Sequence, residues 1–185
     1  MTVYFDKKGR ECTEETARLA LQRGAELGIE YFVVASNTGF TARHFVGKAP
    51  KLVCVTHHIG FREPGGDEMS QETRQELKAQ GVELLTTTHL MGGIERAVTN
   101  QFGGLYPGYL IANALRMLSQ GVKVGVEISV MALDSGLIPY GKPVIAVGGT
   151  GGGADTAIVI RPSHAKTFFE TEILELICKP RSPKG

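Results

Sequence analysis

YFVVASNTGFT, residues 31–41, joins a run of β-branched and aromatic side chains to a turn rich in hydroxyl groups. The run Tyr31–Ser36 is typical of a buried β-strand, and the segment before it, from Thr13 to Gly28, has the apolar spacing of an α-helix. A helix that leads directly into a strand is the repeating unit of α/β proteins. This stretch therefore indicates the fold class.

The same alternation continues along the chain. Further strands are predicted at Leu52–Thr56, Val82–Thr86, Val144–Gly148 and Ala157–Pro162, and further helices at Thr41–Ala49, Ser70–Gln80, Gly108–Gln120 and Phe168–Cys178. Val122–Leu137 has the β-branched content of a strand, but its length favours a buried helix. His57–Met69 and Thr87–Tyr106 show little regular patterning and are expected to be loops.

We predict one domain over residues 1–185, with an α/β fold of three layers (α/β/α) around a five-stranded, mostly parallel sheet. The last two strands are joined only by Gly149–Thr156. This connection is too short for a crossover between parallel strands, so the last strand is expected to run antiparallel at an edge of the sheet.

Composition excludes several classes of function. The net charge is only +1, so the chain lacks the excess of basic residues that binding to nucleic acid or to an anionic membrane surface would need. No apolar stretch approaches a membrane span or a secretory leader, and Cys12, Cys54 and Cys178 lack the spacing of a disulfide framework or a zinc site. We expect a cytoplasmic protein.

The turn Ser36–Thr41 carries the ingredients of a phosphate site. The hydroxyls of Ser36, Thr38 and Thr41, the amide of Asn37 and the flexible Gly39 stand at the start of a helix, next to Phe40. Hydroxyls and unpaired backbone N–H groups at a helix start surround a tetrahedral anion well. The alternative is that Ser and Thr only cap the helix.

A second cluster, GGTGGGADT at Gly148–Thr156, leaves the fourth predicted strand. Glycine lets the backbone approach a flat ligand, and Thr150 or Asp155 offers hydrogen bonds to it. The alternative is a tight turn that uses glycine for positive φ angles.

Histidines follow the second and third predicted strands, in THHIGF (Thr56–Phe61) and TTTHLMGG (Thr86–Gly93). His57, His58 and His89 are expected at the same sheet edge as Ser36, as hydrogen-bond donors or an acid–base group, or as ordinary loop histidines. No metal site is predicted, since no spacing typical of metal ligands is present. The candidate ligand-contacting residues are Ser36, Asn37, Thr38, Gly39, Phe40, Thr41, Thr56, His57, His58, Thr87, His89, Gly148, Gly149, Thr150, Gly151, Gly152 and Asp155.

Two resemblances meet at these residues. SNTGFT is similar to the loop with which flavodoxin-like proteins hold the phosphate of flavin mononucleotide (FMN). The segments TEETARLALQRGAELGIEYFVVAS, TGFTA, KLVCVTHH and GKPVIAVGGTGGGADTAIVI resemble the C-terminal α/β domain of pyruvate kinase and its stand-alone relatives. That resemblance implies the strand order 3-2-1-4-5, with a ligand crevice between the first and fourth strands.

In the pyruvate kinase family this loop holds the phosphate of a sugar-phosphate effector. The usual basic residue after the loop glycine is replaced here by Phe40, which suits a ligand with an aromatic ring better than a bisphosphate. The chain lacks the catalytic barrel, so pyruvate kinase activity is expected to be absent.

The leading hypothesis is a protein that binds a small phosphorylated aromatic ligand, with FMN as the cofactor. The competing hypothesis is a non-catalytic regulatory module that senses a sugar phosphate or a nucleotide. A hydrolase or isomerase that uses a histidine or Asp155 is a third possibility, although the sequence shows no paired nucleophile and base. Val3–Phe5 and Gly108–Leu118 are candidate contacts of a homo-oligomer, or parts of a monomer's core.

Overall fold

A computed structural model describes residues 1–182 and has a seven-stranded mixed sheet at its centre. The strands are β1 (Val3–Phe5), β2 (Tyr31–Ala35), β3 (Lys51–Val55), β4 (Glu83–Leu85), β5 (Val144–Gly148), β6 (Thr156–Arg161) and β7 (Glu172–Pro180). Their order across the sheet is β1-β7-β6-β5-β2-β3-β4. Strand β6 runs antiparallel to both of its neighbours, and the other neighbouring pairs are parallel.

Helices cover both faces of the sheet. They are α1 (Thr13–Leu27), α2 (Phe40–Arg43), α3 (Gln71–Ala79), α4 (Ile94–Phe102), α5 (Pro107–Arg116) and α6 (Gln120–Asp134), and two 3-10 turns lie at Gly9–Cys12 and Ala165–Glu170. Side chains of successive strand residues point to opposite faces, so Val34 joins the core beneath α1 while Val33 joins the core beneath α6. Burying each such valine contributes about 1.5–3 kcal/mol.

Helix α6 is buried around nearly its whole circumference because the sheet, α5 and the second 3-10 turn pack against it. This burial explains why its sequence is largely apolar, with Gln120, Lys123 and Glu127 along one side, and the helical alternative for Val122–Leu137 is confirmed. Ser119 caps the helix: its Oγ accepts a hydrogen bond from the backbone N–H of Val122 at 2.9 Å.

The predicted α/β class and the order of the five predicted strands are confirmed, since these strands appear as β4-β3-β2-β5-β6. The prediction of five strands is wrong. The last predicted strand, β6, runs antiparallel as expected, but it does not lie at an edge because β7 and β1 extend the sheet beyond it.

The tail predicted as a helix over Phe168–Cys178 is mostly strand β7, which pairs with β6 on one side and β1 on the other. Register shifts between β6 and β7 interrupt the two-residue alternation by which a strand is recognised in sequence. The backbone hydrogen bonds that two neighbours offer decide its conformation.

One predicted loop contains a helix. Within Thr87–Tyr106, α4 has no buried residue, although its apolar residues Ile94, Val98 and Phe102 recur at helical spacing. Its Ile94 and Phe102 are exposed, as are Tyr109 and Leu110 on α5. No helix within residues 1–182 is long and apolar enough to cross a membrane.

Gly121 permits the contact between α6 and the sheet. A Cβ atom at this position would lie 2.3 Å from both Cβ and Oγ1 of Thr156. We expect Gly121→Ala to lower the free energy of unfolding in urea by about 1–3 kcal/mol, because β6 and α6 must separate. Gly92→Ala is the matched control. Its Cβ would meet nothing closer than 3.5 Å, so a change under about 0.5 kcal/mol is expected.

Candidate functional site

A crevice of about 470 Å³ opens at the carboxyl ends of β2 and β5. It is lined by Ala35, Ser36, Asn37, Thr41, His57, Arg62, Gln120, Val124 and the glycine loop Gly149–Gly153. The chain leaves β2 towards β3 and leaves β5 towards β6, in opposite directions. Such a switch point is where open α/β sheets bind ligands.

One side of the crevice is built by the turn after β2. The Oγ of Ser36 accepts a hydrogen bond from the backbone N–H of Ala42 at 3.3 Å, which ties the turn to the start of α2. Thr41 is only 2% exposed, lines the crevice, and its hydroxyl bonds to none of the described residues. The amide of Asn37 is likewise unbonded within residues 1–182. The wall therefore presents donors that have no protein partner.

The remaining residues of this turn face elsewhere. Thr38 is exposed and outside the crevice lining. Gly39 has φ 85°, and a Cβ there would lie 2.7 Å from Cγ2 of Thr73. The ring of Phe40 lies 4.2 Å from the guanidinium carbon of Arg10, so a cation from the N-terminal segment stands beside the turn.

The opposite wall is the glycine loop. A Cβ on Gly149 would lie 2.3 Å from the carbonyl oxygen of Gly153, and one on Gly153 would lie 2.5 Å from the backbone of Arg10. Gly151 and Gly152 have positive φ and open space beside them. Steric and conformational demands thus account for these glycines, and the resulting wall is bare backbone.

Below the loop, a Cβ on Gly148 would lie 2.6 Å from the carbonyl oxygen of Gly121. Asp155 is fully buried and turned away from the crevice. Its carboxylate accepts hydrogen bonds from the N–H of Gly9 at 2.8 Å and the hydroxyl of Thr156 at 2.9 Å. Asp155 therefore anchors the loop to the N-terminal segment.

The histidines lie beside a second, smaller cavity of about 140 Å³, which shares His57, Asn37 and Gln120 with the crevice. His57 Nδ1 lies 2.5 Å from Oε2 of Glu68, and its ring stacks on Phe61 with centroids 3.7 Å apart. This carboxylate occupies Nδ1, so the other ring nitrogen is available to a ligand.

His89 lines the smaller cavity, whereas His58 bonds to the carbonyl of Ile59 and does not line it. Thr56 also lines this cavity, but its hydroxyl hydrogen-bonds to Thr86 at 2.7 Å. Thr87 is exposed and lines neither cavity. The structure thus brings together the turn, the glycine loop and two of the three histidines.

Sequence reasoning missed the charged and amide side chains of this region. These are Arg62, Arg96, Arg116, Gln120 and Lys123. The one available signal was the spacing of Gln120 and Lys123, which lie three residues apart on α6 and therefore on one side of that helix. Arg116 ends α5, and its Nε donates to Oε1 of Gln120 at 2.7 Å.

A family model described as pyruvate kinase, alpha/beta domain, matches residues 14–160. The chain belongs to this family. The matched residues 14–160 of this chain include the turn after β2 and the glycine loop. The whole lining of the crevice therefore lies within the pyruvate kinase alpha/beta domain.

Among solved structures, the domain is similar to pyruvate kinases from Cryptosporidium parvum. One shares 18% identity over 80% of this chain and 22% of its own length, with a TM-score of 0.43. A second shares 19% identity over 74% of this chain and 20% of its own, with a TM-score of 0.38. A complex of Cryptosporidium parvum pyruvate kinase with ADP shares 19% identity over 73% of this chain and 20% of its own length, with a TM-score of 0.38. The chain spans about a fifth of the length of these enzymes.

The cysteines of the alpha/beta domain are buried and lie outside the crevice lining. Burial raises the pKa of the Cys54 and Cys178 thiols to about 12, and the pKa of Cys12 is raised for the same reason. A protonated thiol is a poor nucleophile. Within residues 1–182, no group of three or more His, Cys, Asp or Glu side chains is arranged to hold a metal ion.

The anchoring role of Asp155 predicts an effect on stability. Asp155→Asn replaces one of the two carboxylate oxygens by an NH₂ group, so either the N–H of Gly9 or the hydroxyl of Thr156 loses its acceptor. We expect the free energy of unfolding, measured by urea denaturation, to fall by about 1–3 kcal/mol. Asp6→Asn is the control at an exposed carboxylate, and we expect it to change stability by less than about 1 kcal/mol. Equal effects of the two substitutions would contradict the anchor.

His89 predicts a pH dependence. Burial lowers its pKa from the usual 6.5, an effect opposed by Glu127 and reinforced by His57 and Lys123. The unfolded chain therefore takes up the proton first. The contribution of His89 to the free energy of unfolding is therefore constant above pH 6.5. It falls as the pH drops from 6.5 towards the pKa of His89 in the folded protein, by at most about 1.4 kcal/mol per pH unit.

Urea denaturation at pH 7.5 and pH 5.5 measures this loss, taking these values as roughly one unit either side of the ordinary histidine pKa. We expect a smaller loss in His89→Gln than in the unmodified protein. His164→Gln, at a half-exposed histidine far from the cavities, should lose as much as the unmodified protein. An unchanged loss in His89→Gln would show that other groups cause the pH dependence.

Proposed function

We propose that this domain binds a small phosphorylated ligand in the crevice, with the phosphate against the turn Ser36–Thr41. The observation that carries the proposal is the hydroxyl of Thr41. Every fully buried polar side-chain atom of the described residues has a hydrogen-bond partner, whereas the Thr41 hydroxyl has none and opens into the crevice, where a ligand or water can satisfy it.

The charge of the lining supports an anionic ligand. None of the described residues that line the crevice is an aspartate or glutamate, and the lining includes the cation Arg62, whose Nε lies 2.8 Å from Oε1 of Glu68 outside the lining. Unbonded donors come from the turn, from Gln120 at the start of α6 and from the glycine loop. The volume of about 470 Å³ lies within the range of roughly 300–1,000 Å³ that is usual for small-molecule sites.

FMN is the ligand that we propose to test first. Its phosphate would take the donors of the turn, and its flat ring system would lie along Gly149–Gly153, where no side chain stands in the way. The redox chemistry would then be that of the flavin, while the protein binds and orients it. His57 would offer the ring nitrogen that Glu68 leaves free.

The second candidate is a regulatory module that binds a sugar phosphate or a nucleotide, without pyruvate kinase activity of its own. The observation that favours it is the polar lining: His57 is the only aromatic side chain among the described residues that line the crevice. A flavin stacked between aromatic rings would have less support here than a hydrated sugar.

Titration of FMN and riboflavin by calorimetry tests the phosphate site directly. We expect FMN to bind at least about tenfold more tightly, because riboflavin lacks the charged group that the turn would hold. Thr41→Val should remove most of this preference. Thr16→Val is the matched control, since it removes a buried hydroxyl of α1 outside the crevice and should preserve the preference.

Equal affinity for FMN and riboflavin, or an unchanged preference in Thr41→Val, would contradict FMN binding at the turn. The second candidate is then tested by measuring the Tm in the presence of sugar phosphates and of nucleotides, since a ligand that binds only the folded state raises the Tm. A Tm raised by sugar phosphates and not by FMN would favour the regulatory module.

A further inference from the structure

Exposed apolar side chains are concentrated in one part of the molecule. Half of the large apolar side chains that are exposed within residues 1–182 lie on α4, on α5 or on the segments that directly follow these helices. They are Ile94, Phe102, Leu105, Tyr109, Leu110, Met117 and Leu118. We call the outer side of the two helices, with these seven side chains, the helix-pair surface. Large exposed apolar surfaces of soluble proteins are typically interaction sites.

Helix α4 has little support within its own chain. It has nine residues, none of them buried, and no side chain caps its start. Within residues 1–182, the hydrogen bond that joins it to another helix runs from the backbone N–H of Gly108 to Oε2 of Glu95, at 3.1 Å. Isolated helices shorter than about 12–15 residues are marginal in water, and the Val, Thr and Asn residues of α4 are weak helix formers. Its helical conformation therefore points to packing against something outside the chain.

Helix α5 is apolar on two sides. Its inner side packs against α6, with Ala112 buried. Leu110 and Met117 are exposed on another side, and the exposed Ala114 lies between them. Residues at this spacing form one stripe along a helix, and a second apolar stripe is typical of a helix that is covered from both sides.

The helix-pair surface is nearly free of charge. The stretch from Ala97 to Leu115 contains no Asp, Glu, Lys, Arg or His, although the chain as a whole is 21% charged and about four charged residues would be expected there. Helices that lie on a membrane surface carry Lys and Arg on their polar face, and charged protein partners are recognised by opposite charge. A second copy presents the same neutral surface, so neither side leaves a charge unpaired.

The exposed apolar area is large enough for a stable dimer. At roughly 200 Å² for a large apolar side chain, the exposed fractions of the seven side chains amount to about 900 Å². A standard protein interface buries about 800 Å² on each partner, and interfaces between identical chains are the more apolar ones. The helix-pair surface thus has both the area and the composition of a contact between two copies.

We propose that a second copy of this chain covers the helix-pair surface, so that two protomers form a dimer through α4 and α5. The contact is isologous, which means that each protomer uses the same surface. This inference does not depend on the identity of the ligand. Helix α4 carries Arg96, which lines the smaller cavity beside the crevice, so the dimer also fixes one wall of that cavity.

Sedimentation equilibrium of the full chain tests the dimer. We expect the unmodified protein to have twice the mass of one chain. Leu110→Glu should weaken self-association at least about a hundredfold, because it places an unpaired carboxylate in an apolar contact. Phe102→Glu should have the same effect through α4.

Phe169→Glu is the matched control for Phe102→Glu. It makes the same replacement at an exposed phenylalanine of the second 3-10 turn, outside the helix-pair surface, and should leave self-association unchanged. An unmodified protein that is monomeric at every concentration would overturn the proposal. So would a dimer that persists in both Leu110→Glu and Phe102→Glu.

Cosedimentation with phosphatidylcholine vesicles tests a lipid surface as the other occupant. We expect no binding of the unmodified protein, because its apolar residues face the partner protomer. A monomeric protein that binds the vesicles, and that loses this binding in Phe102→Glu, would assign the helix-pair surface to lipid and overturn the dimer.

Hydrogen exchange measures the support of α4 itself. Leu110→Glu changes α5 and leaves the sequence of α4 intact, so an effect on α4 reports the loss of the partner. We expect the backbone N–H groups of residues 94–102 to exchange at least about tenfold faster in Leu110→Glu than in the unmodified protein or in Phe169→Glu. Equal exchange rates in all three proteins would show that α4 is held by its own chain, which would contradict the proposal.

Discussion

The parallel pairing of β2 with β5 is the constraint on which the rest of the structure depends. Phe32 lies beside Ile145 and Val34 beside Val147, so both strands end at the same level of the sheet. The turn after β2 and the glycine loop after β5 must then face each other across the crevice. A slip by one residue would move Val33 and Val34 to opposite faces and break both cores, so the register that holds the core also holds the site.

The central part of the fold could be predicted from sequence because its signals are local. Tyr31–Ala35 and Val144–Gly148 are short apolar runs, and Gly28 ends α1 in the left-handed conformation that glycine favours. The outer part depends on distant partners. Strand β1 has three residues, and β7 owes its conformation to neighbours on both sides. Neither is encoded by a pattern that stands out within its own segment.

The same distinction holds for the candidate site. The turn Ser36–Thr41 could be recognised from sequence by its three hydroxyl side chains around one glycine. The structure places half of its residues in the crevice wall. Asp155 has the chemistry of a ligand-binding residue, but its carboxylate accepts a hydrogen bond from the backbone N–H of Gly9, 146 residues earlier in the sequence. Arg96 and Arg116 reach the cavity from two helices whose relative placement no local pattern specifies. Side-chain direction, rather than residue type, limited the prediction.

All three cysteines are buried, so the reactivity of their thiols measures how often the surrounding structure unfolds locally. Cys54 lies on β3 in the parallel half of the sheet, and Cys178 lies on β7 beyond the antiparallel strand, both with no exposed surface. A thiol-directed dye reaches either one only when the surrounding structure separates. Comparing the two labelling rates therefore distinguishes a sheet that opens as one cooperative unit from one whose halves detach separately.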